Sequence, residues 1–75
     1  MVIYYNLETK EIERTEENTL TPILPANKTF DEKKEFYKKQ NIGFIVIPQE
    51  LGSYIDNYDL CFNEYGDFIG LEIKK

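Results

Sequence analysis

Cys61 and Ser53 are the only thiol and the only serine hydroxyl in the chain, so nucleophilic chemistry would have to begin at one of them. Either needs a base to accept its proton, and the sequence contains no histidine. A carboxylate or lysine would have to substitute, and no spacing in the sequence brings one into place. Cys61 therefore reads as an ordinary small apolar residue of a strand. Asp56, Asp59, Glu64 and Asp67 lie close together in sequence. Acid–base catalysis would require one of them to be buried, with its proton retained near neutral pH. These residues fall in and around turns, where water reaches them. Asp56-Asn57-Tyr58-Asp59 also lacks the alternating acids and the glycine of a calcium loop. The glycines, at 43, 52, 66 and 70, are scattered and form no phosphate-cradling loop. The inventory predicts a protein that is not an enzyme and uses no metal or cofactor.

Two other constellations could act by contact. Lys28, Lys33, Lys34, Lys38 and Lys39 are concentrated in one segment, with Lys34 and Lys38 able to share a helix face. Glu35 and acidic flanking segments offset them, so they read as a solvated helix surface. The net charge of −5 makes the chain a poor binder of nucleic acid or anionic membrane. The second constellation is Tyr54, Tyr58 and Tyr65 interleaved with Asp56, Asp59, Glu64 and Asp67. Tyrosine offers a large rigid surface and a hydroxyl, a combination common at protein interfaces. These residues are the candidate protein-binding site, suited to a basic protein surface or to imitating the charge of DNA. The competing reading places half of the rings in the core and leaves the acids to solvate turns. Pro22-Ile23-Leu24-Pro25 has the spacing of a polyproline ligand but lacks a neighbouring arginine, and reads as structural.

The elements that position these residues follow from local pattern. Val2-Ile3-Tyr4-Tyr5 has strand composition. It is expected at a sheet edge, where a second copy could add a strand and form a homo-oligomer. Asn6–Glu11 is a turn in which Lys10 takes a left-handed position that glycine would occupy about 1 kcal/mol more cheaply. Ile12–Thr15 returns as a second strand. Thr19–Pro25 is extended, with Leu20, Ile23 and Leu24 expected to dock on the core. A helix is predicted over residues 30–41. Thr29 and Glu32 form its capping box, Glu35 and Lys39 a favourable pair, and Gly43 lies near its end. Phe30, Phe36 and Tyr37 form its apolar arc. Phe44–Ile47 reads as a strand covered on both faces or lying centrally. A connector follows, with a helical turn at Gln49–Leu51. Tyr58–Phe62 and Phe68–Ile73 form a hairpin through Asn63-Glu64-Tyr65-Gly66, with Ile69, Leu71 and Ile73 alternating along the second strand. The order β-β-α-β-β-β predicts an α+β fold: a small, mostly antiparallel sheet with one helix packed on it.

At 75 residues the chain is one domain, residues 1–75, of a size that buries only about 60% of its unfolded surface. Five Phe and six Tyr supply enough apolar area for a core. Without a second cysteine or a histidine, no disulfide or metal staple can form within one chain. The unpaired thiol and the absence of an export pattern predict a reducing cytoplasm, compatible with delivery into a larger assembly made there.

The opening MVIYYNLETKEIERT and the closing NYDLCFNEYGDFIGLEIKK resemble the ends of short uncharacterised proteins encoded by phages and prophages of low-GC Gram-positive bacteria. Some of these proteins lie among tail-module genes. Related openings often carry glycine where Lys10 stands here. The resemblance implies a phage accessory protein, made in a bacterial host, that binds a phage structural or host protein and can be virion-associated. The alternative it leaves open is a phage inhibitor of a host defence protein acting through the acidic, Tyr-rich surface. It assigns no functional residue.

Overall fold

The computed structural model describes residues 1–52 and 54–74, so Ser53 lies outside the described residues. The strands are β1 (Val2–Asn6), β2 (Ile12–Glu16), β3 (Ile42–Val46), β4 (Tyr58–Phe62) and β5 (Phe68–Ile73). The helices are α1 (Phe30–Lys38) and a single turn, α2 (Gln49–Gly52), with a short 3₁₀ turn at Ile55–Asn57. The fold is α+β and mostly antiparallel sheet, as the element order predicts.

β1 organises the molecule. Its run Val2-Ile3-Tyr4-Tyr5 has no polar face, and alternation sends successive side chains to opposite sides of a sheet. Val2 and Tyr4 pack with Phe44 and Tyr37, under α1. Ile3 and Tyr5 pack the other way with Ile45, Ile47 and Ile55 and with Leu60, Phe62, Phe68 and Leu71 of the hairpin. The result is three layers: α1, the sheet β2-β1-β3, and the separate two-stranded sheet β4-β5. The hairpin thus stacks on the first sheet rather than extending it.

This arrangement corrects the placement of Val2–Tyr5 at a sheet edge. β1 is the central strand, antiparallel to both β2 and β3, and Val2, Ile3 and Tyr4 are fully buried. A strand with four consecutive apolar residues needs cover on both faces, and here it also has a neighbour on both sides. No second copy can pair with it. β3 is covered on both faces, as predicted, but it lies at the edge of the sheet and not at its centre.

α1 begins with the predicted capping box: the Glu32 amide donates to Thr29 Oγ1 at 3.2 Å, and the Thr29 amide donates to Glu32 Oε1 at 3.0 Å. The helix stops three residues short of the predicted end. Asn41, at φ 65°, takes the left-handed position instead of Gly43. Gly43 lies within β3 opposite Tyr5, and a Cβ there would fall into the Tyr5 ring. The helix packs through Tyr37 and the stem of Lys33, while Phe36 is exposed. The ion pair at this helix joins Glu32 to Lys28, just before the cap, at 4.0 Å, in place of the predicted Glu35–Lys39 pair.

Residues 17–28 form a strap across α1, and its side chains contradict the expected docking. Leu20, Ile23 and Leu24 are 79, 62 and 64% exposed, and only Pro22 is buried. The strap is fastened by its main chain instead. Lys33 Nζ donates to the Pro22 carbonyl, and the Tyr37 hydroxyl donates to the Leu24 carbonyl at 2.6 Å.

In β5 the predicted alternation is broken by a bulge. Leu60 pairs with Leu71 and Phe62 with Phe68, which leaves one more residue on β5 than on β4. Phe68 and Leu71 consequently share the core face and Ile69 is turned out, while Ile73, in the same parity as Leu71, is exposed at the end of the strand.

Candidate functional site

Two asparagine-led turns shape the surface at one end of the molecule. In the first, Asn6 Oδ1 accepts from the Glu8 and Thr9 amides at 2.8 and 3.0 Å, and Lys10 stands at φ 65°. In the second, Asn63 Oδ1 accepts from the Tyr65 and Asp67 amides, both at 2.9 Å, and Gly66 stands at φ 84°. A side-chain carbonyl that mimics a backbone acceptor is the usual asparagine device for such turns. The turns meet: Lys10 Nζ sits 4.9 Å from the Phe62 ring centroid. The second turn pushes Tyr65 out to 82% exposure and leaves Asp67 in the same groove as Tyr5. Burial, and then the Asp67 carboxylate, push the Tyr5 phenol above its ordinary pKa.

Beside these turns runs a groove of about 710 Å³. Phe30, Lys34 and Lys38 of α1 form one wall, and Tyr65, Gly66, Asp67 and Phe68 form the other. Gly43–Val46 lie between them. Because the walls belong to layers on opposite faces of β3, the groove must follow the unpaired edge of that strand. A second cleft, of about 870 Å³, lies between Met1, Gly52 and the Thr9–Glu11 turn on one side and Asp56, Tyr58, Asp59 and Leu60 on the other.

The predicted site residues are accordingly divided. Asp56, Tyr58 and Asp59 line the second cleft, while Tyr65 and Asp67 line the groove. Glu64 is exposed at the hairpin tip, and Tyr54, 60% exposed, precedes the 3₁₀ turn. The two groups sit at opposite ends of β4, which at the usual strand rise is a separation of roughly 16 Å. Tyr58 is half-buried, whereas Tyr54 and Tyr65 present their rings to solvent.

Comparison with known proteins finds no matching family model, curated protein or solved structure. The chemistry must be read from the chain itself. Burial and the Glu72 carboxylate, 3.5 Å from its sulfur, push the Cys61 thiol up, away from the thiolate a nucleophile needs. Among the described residues no three Cys, Asp or Glu side chains converge where a metal could bind, and no helix is long and apolar enough to cross a membrane.

Sequence reasoning missed two surfaces: the apolar outer side of the strap, and the lysines at the β3 edge. The second left a trace, since Lys34 and Lys38 are spaced for one helix face and the apolar strand follows directly. The first left none, because the strap is turned outward by hydrogen bonds from α1.

Proposed function

We propose that the chain is a phage accessory protein, made in the cytoplasm of a bacterial host, that acts by binding another protein and takes its place in the virion or tail. The observation that carries the binding is the strap: Leu20, Ile23 and Leu24 stand 62 to 79% exposed on a backbone pinned by Lys33 and Tyr37. Large apolar side chains held out to solvent by a pinned backbone mark a candidate interaction surface. The phage assignment is supported by the likeness of the chain's two ends to short phage proteins. Non-enzymatic action is supported by the lack of histidine and by the Cys61 thiol's preference for its protonated form.

The test is the protein composition of purified particles, with and without Leu20→Ser, Ile23→Ser and Leu24→Ser combined. The wild-type chain is expected in stoichiometric amount. The triple variant is expected to fold with an unfolding midpoint close to wild type and to be missing from the particles. Equal incorporation of both would remove the strap as the interface, and absence of both would remove the virion reading.

Inhibition of a host defence protein is the second reading, favoured by the solvent-facing rings of Tyr54 and Tyr65 beside carboxylates. Since the site falls into two groups, Asp56→Lys with Asp59→Lys and Glu64→Lys with Asp67→Lys should be assayed as separate pairs. An inhibitor of this kind should lose host-protein binding in one pair only. Full binding in both pairs would dismiss the surface.

A further inference from the structure

The unpaired edge of β3 has a set of properties that neither the strap nor the acidic rings share. The phase of its pairing with β1 is fixed by reciprocal bonds: the Ile47 amide donates to the Met1 carbonyl, and the Met1 nitrogen donates to the Ile47 carbonyl, both at 2.9 Å. In an antiparallel ladder such hydrogen-bonded pairs recur at every second residue. Gly43 and Ile45 therefore bond inward to Tyr5 and Ile3. Ile42, Phe44 and Val46 turn their amides and carbonyls to the open side, where no other strand of the described residues lies. Of these, Phe44 and Val46 lie on the floor of the groove between α1 and the hairpin tip.

The two edges of this sheet are unlike. β2 carries the bulge opposite Tyr4 and Tyr5, and Glu13 and Arg14 sit on it, features that discourage strand addition. β3 has an unbroken register over all five residues and no charged side chain. Its surroundings supply the charge. Lys10, Lys34 and Lys38 line the groove against the single carboxylate of Asp67, in a chain whose net charge is −5. Among the described residues, none of these lysines has a carboxylate within ion-pair distance. Lys10 and Lys34 lie instead over the Phe62 and Phe30 rings.

We propose that the β3 edge binds an extended acidic segment of a partner protein as an added antiparallel strand. This rests on the protein-binding reading above and adds to it a second, separate contact. Main-chain bonds from Phe44 and Val46 would hold the segment. Its alternate side chains would then point to the two walls. Those facing α1 meet Phe30, Lys34 and Lys38, and carboxylates suit them. Those facing the hairpin meet Tyr65, Asp67 and Phe68, with Lys10 beside Gly66; the opposite charges of Lys10 and Asp67 offset there, and apolar side chains fit. The partner sequence recognised is an alternation of acidic and apolar residues about five long.

The probe is an acetylated, amidated peptide alternating glutamate and valine, titrated into the full chain and followed by amide hydrogen exchange and chemical shifts. Protection is expected to rise at the Phe44 and Val46 amides, with shifts confined to β3 and the groove walls. N-methylating one alternate set of peptide amides should abolish binding, and methylating the other set should leave it. Lys34→Glu with Lys38→Glu should weaken the acidic peptide at least tenfold and admit a lysine–valine peptide. Both lysines are exposed on α1, and an unchanged unfolding midpoint will show that the fold is retained. No protection at saturating peptide, equal binding of both charge types, or indifference to N-methylation would each overturn the proposal. So would protection of the same amides that grows with protein concentration without peptide, which would assign the edge to a second copy. None of these failures would touch the strap, whose test is particle incorporation.

Discussion

Tyr5 and Gly43 show how much a single contact decides. Gly43 has no Cβ, and the Tyr5 ring lies in the space one would fill, 4.9 Å from the Phe62 ring. Gly43→Ala is therefore expected to destabilise by about 1–3 kcal/mol through overpacking, measured by urea unfolding. The phenol gives a pH dependence whose sign is fixed. Burial and Asp67 raise its folded pKa above the ordinary 10.0, so the fold prefers the neutral form. That contribution is complete below pH 10 and is lost as pH rises through the folded value. Stability should fall with each step above pH 10, and Tyr5→Phe should remove the part of the slope that belongs to this group. An identical slope in the variant would assign the alkaline loss elsewhere. Residues differ in how far sequence alone reveals such roles. Lys10 at φ 65° was legible, because the turn pattern demands a left-handed residue at that place whatever its type. Gly43 was not, because its reason is a ring that comes from β1, far away in sequence.

At the scale of elements, the helix start was readable and its neighbours were not. Thr29, Glu32 and the early acids are local signals, and they specify a local event. Hydrogen bonds from Thr29 hold the Glu32 carboxyl below its ordinary pKa. Its capping contribution is thus present above the unfolded-state value and fades as pH falls through the folded one. The strap, by contrast, has an apolar sequence that suggests docking, yet it is oriented by two donors on α1. Lys33→Met keeps the stem and removes the donor to the Pro22 carbonyl. A buried carbonyl left without its partner costs about 1–3 kcal/mol. The expected result is a loss of that size, with faster proteolysis confined to residues 17–28. Uniform proteolysis along the chain would mean that the strap is not a separate unit. Strand order is the other feature sequence could not supply. Val2–Tyr5 was expected at an edge, and the return of β3 after α1, which no local signal announces, makes it the centre.

At the scale of the whole molecule, the three layers are joined by two different kinds of contact. The sheet β2-β1-β3 is continuous through main-chain bonds. The hairpin layer is not. The turn and loop bonds of residues 58–74 stay within the hairpin or reach back to Ile55 and Asn57 of the 3₁₀ turn, and its hold on the first sheet is side-chain packing of Leu60, Phe62, Phe68 and Leu71 on Ile3, Tyr5, Ile45 and Ile47. A layer attached by packing alone can separate while the other two remain, so the chain should open in two steps. Phe62 is the central contact, touching Tyr5, Phe68 and Lys10. Its ring is only half-buried, so Phe62→Ala should cost roughly 2 kcal/mol, less than a fully buried Phe. That loss should fall on the hairpin: amide exchange in β4 and β5 is expected to accelerate about thirtyfold while β1 and β3 change far less. Because the groove borrows one wall from the hairpin, the variant should also weaken the glutamate–valine peptide without altering Lys34 or Lys38. Equal acceleration throughout the chain would show a single cooperative unit, in which the edge of β3 and its hairpin wall cannot be separated.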